Sequence, residues 1–277
     1  MAVAETSAAP VTEAPRAPGG PIIGGVLRSE LTKLRTVRST YWTLFTAVVA
    51  IVGLGAFLCA EYVGHYAHIR PEEKGNFDPT SFSLNGLLLA QLAVGVLGVL
   101  LITSEYSTGM IRATLAAVPQ RRTVLAAKAL VFIAVTVVLG VAACFAAFLI
   151  GQSILSSKHI EASLGDPGVL RAVIGGGLYL TVLGLLALGL GTLIRHSAGA
   201  IAALFGLVLV LPGIARALPQ SWQDSVNKYL PSNAGQQIFR IRLDPHTLSP
   251  WAGLGVFCVY AAIALAAAAL MLSRRDA

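Results

Sequence analysis

Glu61, His65, His68 and Glu72 follow one another at spacings of 4, 3 and 4 residues. On an unbroken helix this puts two imidazoles and two carboxylates on one face, the ligand types that hold a zinc ion. Pro71 stands inside the set; it has no N–H to donate and its ring crowds the carbonyl four residues back, so a solvated helix end fits the spacing better than a metal centre. Arg195-His196-Ser197-Ala198-Gly199 has part of a hydrolase nucleophile elbow, but that strained turn requires Gly two residues before the serine, where Arg195 stands. A tight turn between two apolar runs is the simpler reading. The sequence contains no Gly-x4-Gly-Lys-Ser/Thr stretch, hence no P-loop to cradle nucleotide phosphates on backbone N–H groups. Cys59, Cys144 and Cys258 fall in apolar runs without a Cys-x-x-Cys spacing and read as small packing residues.

The elements that carry these residues are apolar throughout. Of 277 residues, 56% are hydrophobic and 12% charged, against about 45–50% and about 25% in a soluble domain, and the mean hydropathy is +0.75. A soluble enzyme, a disordered chain and a disulfide scaffold are all disfavoured. Six runs, Tyr41 to Ala60, Leu84 to Thr103, Ala129 to Gly151, Ala172 to Ile194, Ala198 to Ala215 and Trp251 to Leu272, contain no Asp, Glu, Lys, Arg or His. Each approaches or exceeds the roughly 20 residues that cross a hydrocarbon core of about 30 Å, and a central Leu, Ile, Phe or Val favours insertion by about 0.3–0.6 kcal/mol. The expected fold is therefore an all-α integral membrane protein with six transmembrane helices. Pro212 is expected to kink the fifth or make it partly re-entrant. Summed over alternate loops, Lys and Arg number twelve on the side of both termini and eight on the other, which by the positive-inside rule predicts a multi-pass protein of the cell membrane with both termini cytoplasmic. The formal net charge of +7 suits orientation and anionic headgroups; no basic, aromatic-interleaved patch suggests nucleic acid.

Residues 1–21, rich in Ala, Pro, Glu and Thr, are expected to form a disordered cytoplasmic tail, with the membrane domain occupying 22–277. Ahead of the first span, Ile23, Leu27, Leu31, Leu34 and Tyr41 share a helical arc of about 80°, with Arg28, Lys33 and Arg35 off it. This pattern predicts an amphipathic helix lying on the membrane surface, the alternative being a basic flank that only sets topology. Ser104 to Lys128 opens with Glu105 at a span end, passes Gly109, offers a short helix from Met110 to Val118 with Ile111, Leu115 and Val118 on one side, stops at Pro119, and continues through Arg121, Arg122 and Lys128 into the third span.

The stretch SEYSTGMIRATLAAVPQRRTVLAAK, preceded by ELTKLRTVRSTYW, resembles the span-loop-span signature of type-2 ATP-binding-cassette (ABC) export permeases, of the kind common in high-GC Gram-positive bacteria. The resemblance implies a coupling segment at Glu105, Gly109, Ile111, Arg112, Leu115 and Pro119, seated in a groove of a cytoplasmic ATPase. It also implies a bracing interface helix at Leu31, Leu34, Arg35 and Tyr41, and paired short helices in the loop Arg216 to Pro250, around Trp222, Val226 and Tyr229 and from Pro231 to Phe239. Partners would be the ATPase, which binds ATP and Mg while this chain binds no cofactor, and a second permease subunit. A pathway between the first, second and fifth spans would use Thr43, Thr46, Asn85 and Gln91, whose alternative role is hydrogen bonding between helices. Small residues at Gly95 and Gly98, Gly177 and Thr181, and Gly199 and Ala203 suggest packing seams. The spans hold no titratable group of the kind an ion-driven carrier keeps at mid-membrane, and no in-plane catalytic set for an intramembrane enzyme. The implied function is export of an amphiphilic, drug-like or lipid-like substrate, and the competing reading is a non-transporting scaffold or immunity protein.

Overall fold

Charge-free runs of Leu, Val, Ala and Gly can satisfy their backbone groups in lipid only as helices or closed barrels. The computed structural model describes residues 22–117, 120–215, 217, 226–242 and 244–274, and every regular element among them is helical. Among the described residues, six helices are long and apolar enough to cross a membrane. In chain order the α-helices of the described residues are α1 (Ile22–Thr36), α2 (Arg38–His65), α3 (Pro71–Gly75), α4 (Pro79–Ser83), α5 (Leu87–Ser107), α6 (Met110–Ala117), α7 (Arg121–Leu155), α8 (Val169–Ile194), α9 (Ser197–Phe205), α10 (Leu211–Ala215), α11 (Pro231–Gln236) and α12 (Pro250–Arg274). The expected 1–21 tail, Pro119 and Trp222 lie outside the described residues.

Proline sets several boundaries. A 3₁₀ turn, Tyr66–His68, follows α2, and Pro71 starts a separate helix, so Glu72 does not continue the helical face of Glu61 and His65. The second span begins at Leu87, not Leu84, because α4 precedes it: Asp78 caps α4 by accepting the N–H groups of Thr80 and Ser81, and Pro79 occupies its first turn. The fifth span, Ser197–Ala215, changes from α to π winding over Gly206–Val210 just ahead of Pro212. The wider turn accommodates the missing N–H of proline.

The centre of the bundle is α8, which packs against α5, α7 and α12. Tyr179, Leu180, Leu183, Ala187 and Leu188 along it are each at most 1% exposed. Glycine permits the close approach: a Cβ at Gly98 of α5 would run into the Gly184 carbonyl, and one at Gly177 would meet the Val141 backbone. Of the expected seam at Gly199 and Ala203, only Gly199 meets a neighbouring span, its added Cβ facing Ile194 at the very end of α8, while Ala203 is exposed. Mid-bundle, the Tyr179 hydroxyl donates to Gln91 Oε1 at 2.6 Å, and Tyr179 stacks on Phe257. Trp42, Phe45, Val49 and Phe57 of α2 are exposed, an apolar surface suited to lipid.

The last inter-span loop folds onto the bundle. After the 3₁₀ turn Asn227–Tyr229, α11 buries Pro231, Ala234 and Gly235 against α8 and α12, so its apolar face meets protein. Arg171 of α8 holds the segment by donating to the carbonyls of Gln237, Ile238 and Arg240 at 3.0–3.3 Å.

Candidate functional site

The longest helix among the described residues, α7, begins at the end of the bundle where α1 and α6 lie. With 35 residues at about 1.5 Å each, α7 is about 52 Å long, well beyond a core of about 30 Å. Its first two turns, from Arg121 to Lys128, stand beside the end of α5. There Ser104 and Thr108 return their hydroxyls to the carbonyls of Leu100 and Ser104, and the chain reverses at Gly109, whose φ of +71° is a left-handed conformation that favours glycine. The Arg112 N–H then donates to the Gly109 carbonyl, opening α6.

Four charged side chains from three elements meet behind this turn. Lys128 Nζ donates to Glu30 Oε2 at 2.6 Å and to Glu105 Oε1 at 2.9 Å. Lys33 Nζ donates to Glu30 Oε1 at 2.7 Å and to Glu105 Oε1 at 2.9 Å. The result is a closed ring of alternating sign and zero net charge, joining α1 to α5 and α7. Lys128 is 1% exposed, and Glu30 and Glu105 2% each. Ions so buried are retained only when each faces an opposite charge. At Lys33, burial alone favours the neutral amine, but hydrogen bonds and charges from Glu30 and Glu105 outweigh it and hold the ammonium pKa above its ordinary value. Glu105 Oε2 is buried without a hydrogen-bond partner. Glu105 borders a cavity of about 160 Å³ that Leu34, Thr43, Ser104 and Met110 help to line.

Helix α6 rests on the span ends through Ile111, 3% exposed, in a cluster with Ile102, Leu125, Leu188 and Ala268. Met110, Arg112, Ala113 and Ala116 face outward. Ile111 therefore attaches the helix to the bundle, and the residues available to a partner are its neighbours. Arg121 donates to the Leu272 carbonyl at 3.0 Å, placing a cation at the C-terminal end of α12 where the helix dipole favours it. Arg195 lies over the Tyr106 ring at 5.1 Å.

The surface helix forms, but turned. Its buried positions are Val26, Glu30 and Leu34, displaced by about 60° from the apolar arc at 100° per residue, because the charge ring draws Glu30 inward. Leu31 is half-buried and Arg35 exposed. The helix breaks at Val37, which is extended (φ −80°, ψ 110°), so Tyr41 belongs to the first turn of α2 and not to the surface helix. Of the sequence-predicted pathway residues, Thr43 lines the cavity beside the ring, Thr46 is exposed, Asn85 lies at the opposite end, and Gln91 is held in the core by Tyr179. The structure does not bring the four together. Sequence patterning marks Glu105 and Lys128 as span-end charges, sets Lys33 off the apolar arc and does not single out Glu30. The available signal was Glu30 at i, i+3 from Lys33 and i, i+4 from both Val26 and Leu34.

A family model described as ABC-2 family transporter protein matches residues 26–213, from α1 into α10. No curated protein matches the chain.

Proposed function

The chain belongs to the ABC-2 transporter family, and from that premise we propose that it is a permease subunit driven by a separate cytoplasmic ABC ATPase, paired with a second permease subunit and exporting an amphiphilic substrate across the cell membrane. Both termini, α1, α6 and the charge ring then lie on the cytoplasmic side. ATP and Mg are bound by the ATPase, and force arrives on the outward residues of α6.

The observation that carries this reading is the ring Glu30–Lys128–Glu105–Lys33. A displacement of α6 reaches α5 through the short Gly109 turn and the spans through Ile111. The ring ties the same span ends to α1, so α1, α5 and α7 move as one body and not as three loosely packed helices. A buried ionic ring costs desolvation and contributes little net stability relative to an apolar core, which fits a role in fixing relative orientation.

The test is co-purification with a co-expressed ABC ATPase, using Ala113→Glu and Ala116→Glu on the outward face of α6. Both variants are expected to insert and fold normally yet lose the ATPase from the complex. Normal co-purification of both would overturn the docking of the ATPase on α6, and full biological activity of the permease expressed with no ATPase would overturn the assignment itself in favour of a free-standing membrane scaffold.

A further inference from the structure

The end of the bundle opposite α1 and α6 carries a second polar feature. A cavity of about 270 Å³ lies between the approach to α5 and the segment following α11. Leu84, Leu88 and Phe239 supply apolar wall, while Asn85, Arg240 and Arg242 line it with donors. Asp78 also borders the cavity, but its carboxylate is occupied: Oδ1 accepts the N–H groups of Thr80 and Ser81 and Oδ2 accepts the Ser81 hydroxyl.

The two guanidinium groups are positioned by neutral acceptors. Arg242 donates to the Gly75 carbonyl at 3.0 Å, to Asn76 Oδ1 at 3.4 Å and to the Phe77 carbonyl at 3.5 Å. Arg240 donates to Gln236 Oε1 at 3.3 Å. Among the described residues, neither guanidinium forms an ion pair. Their charge is therefore oriented but not neutralised. The wall that carries Arg240 is also fixed, since Arg171 donates to the carbonyls of Gln237, Ile238 and Arg240. Planar guanidinium groups match carboxylate and phosphate oxygens with paired donors, and the adjoining leucines and phenylalanine suit a hydrocarbon chain.

We propose that this cavity binds the anionic head of an amphiphile, its phosphate or carboxylate on Arg240 and Arg242 and its chain along Leu84, Leu88 and Phe239. Placing the cavity at the outer leaflet rests on the export orientation proposed above; the binding chemistry does not. The site gives Arg240 and Arg242 a use on the side where the positive-inside rule disfavours cations.

The test uses the full-length protein in a nonionic detergent, titrated with dihexanoyl phosphatidylglycerol, dihexanoyl phosphatidylcholine and inorganic phosphate, with binding read by native mass spectrometry. The phosphatidylglycerol is expected to bind at least about tenfold more tightly than either other probe. Arg240→Gln and the double variant R240Q/R242Q should each lose about that preference, with helicity and elution volume unchanged. Because Arg242 also fixes the 75–77 turn, Arg242→Lys serves as a second variant that keeps the charge, and it should retain a preference for the anionic lipid over the choline lipid. Equal binding of the two lipids, undiminished preference in a folded R240Q/R242Q protein, or phosphate binding as tightly as phosphatidylglycerol would each overturn the proposal. Absence of any ATPase from the complex of the parent protein, or a topology with this end in the cytoplasm, would refute the export reading and leave these binding results unchanged.

Discussion

Replacing Lys128 with methionine keeps most of the aliphatic stem and removes the charge. In the parent, Glu30 and Glu105 each face two ammonium groups at 2.6–2.9 Å. In the variant both share Lys33 alone, leaving one uncompensated negative charge at a site where both carboxylates are 2% exposed. Breaking a buried pair from one side costs about 3–5 kcal/mol, roughly two to three and a half powers of ten in an opening equilibrium. The cheapest relief is release of α1, which otherwise holds the bundle through little more than buried Val26 and Leu34. Hydrogen exchange followed by mass spectrometry should therefore show the α1 amides of Lys128→Met exchanging at least about a hundredfold faster, with the amides of α8 unchanged. The double variant E30Q/K128M restores neutrality and leaves Lys33 with Glu105, so it should recover at least about tenfold of that protection. Exchange in Lys128→Met within about threefold of the parent, or a double variant no better than the single one, would refute the reasoning that charge balance holds α1 to the spans.

Ile111→Asp places an unpaired charge in the seat of α6 and should cost about 3 kcal/mol or more, whereas Ala113→Asp on the outward face should stay within about 0.5 kcal/mol; limited proteolysis across 107–120 should detect unseating only in the first. Gly177→Val forces a branched side chain into the Val141 backbone and should lower thermal stability by at least about 1–3 kcal/mol, while Gly213→Ala, where the added Cβ has no neighbour within 4 Å, should change it by less than about 0.5 kcal/mol. The Lys33 pKa is raised in the folded state, so its contribution is fully present below the ordinary lysine value and is lost as pH rises through the raised one. Melting temperature followed upward from about pH 10 should accordingly fall more steeply for the parent than for Lys33→Met.

The sequence exposes what depends on composition and punctuation. The six spans follow from charge-free runs, the break before Pro71 and the π winding ahead of Pro212 from the chemistry of proline, and α6 from an apolar repeat behind Gly109. What depends on tertiary partners is hidden. Hydrophobic periodicity turned α1 by about 60° because it assumes charges face outward, and Glu30 points inward only because Lys128, 98 residues away, meets it there. Gln91 shows the same limit: polarity in a span marks a partner without naming it, and the interhelical hydrogen bond that the sequence allows there is to Tyr179. The Arg171 clasp on the Gln237–Arg240 carbonyls left no trace in the sequence, since carbonyl acceptors are the same at every residue. Only the fold brings that segment to the start of α8.

The central claim, that drive enters through the outward face of α6, is tested most directly by site-specific photocrosslinking in membranes containing the ATPase. A crosslinking side chain at position 113 or 116 should capture the ATPase, one at 111 should capture only this chain, and one at 229 should capture no ATPase. Capture at 229, or none at 113 and 116 while the complex is intact, would contradict the account.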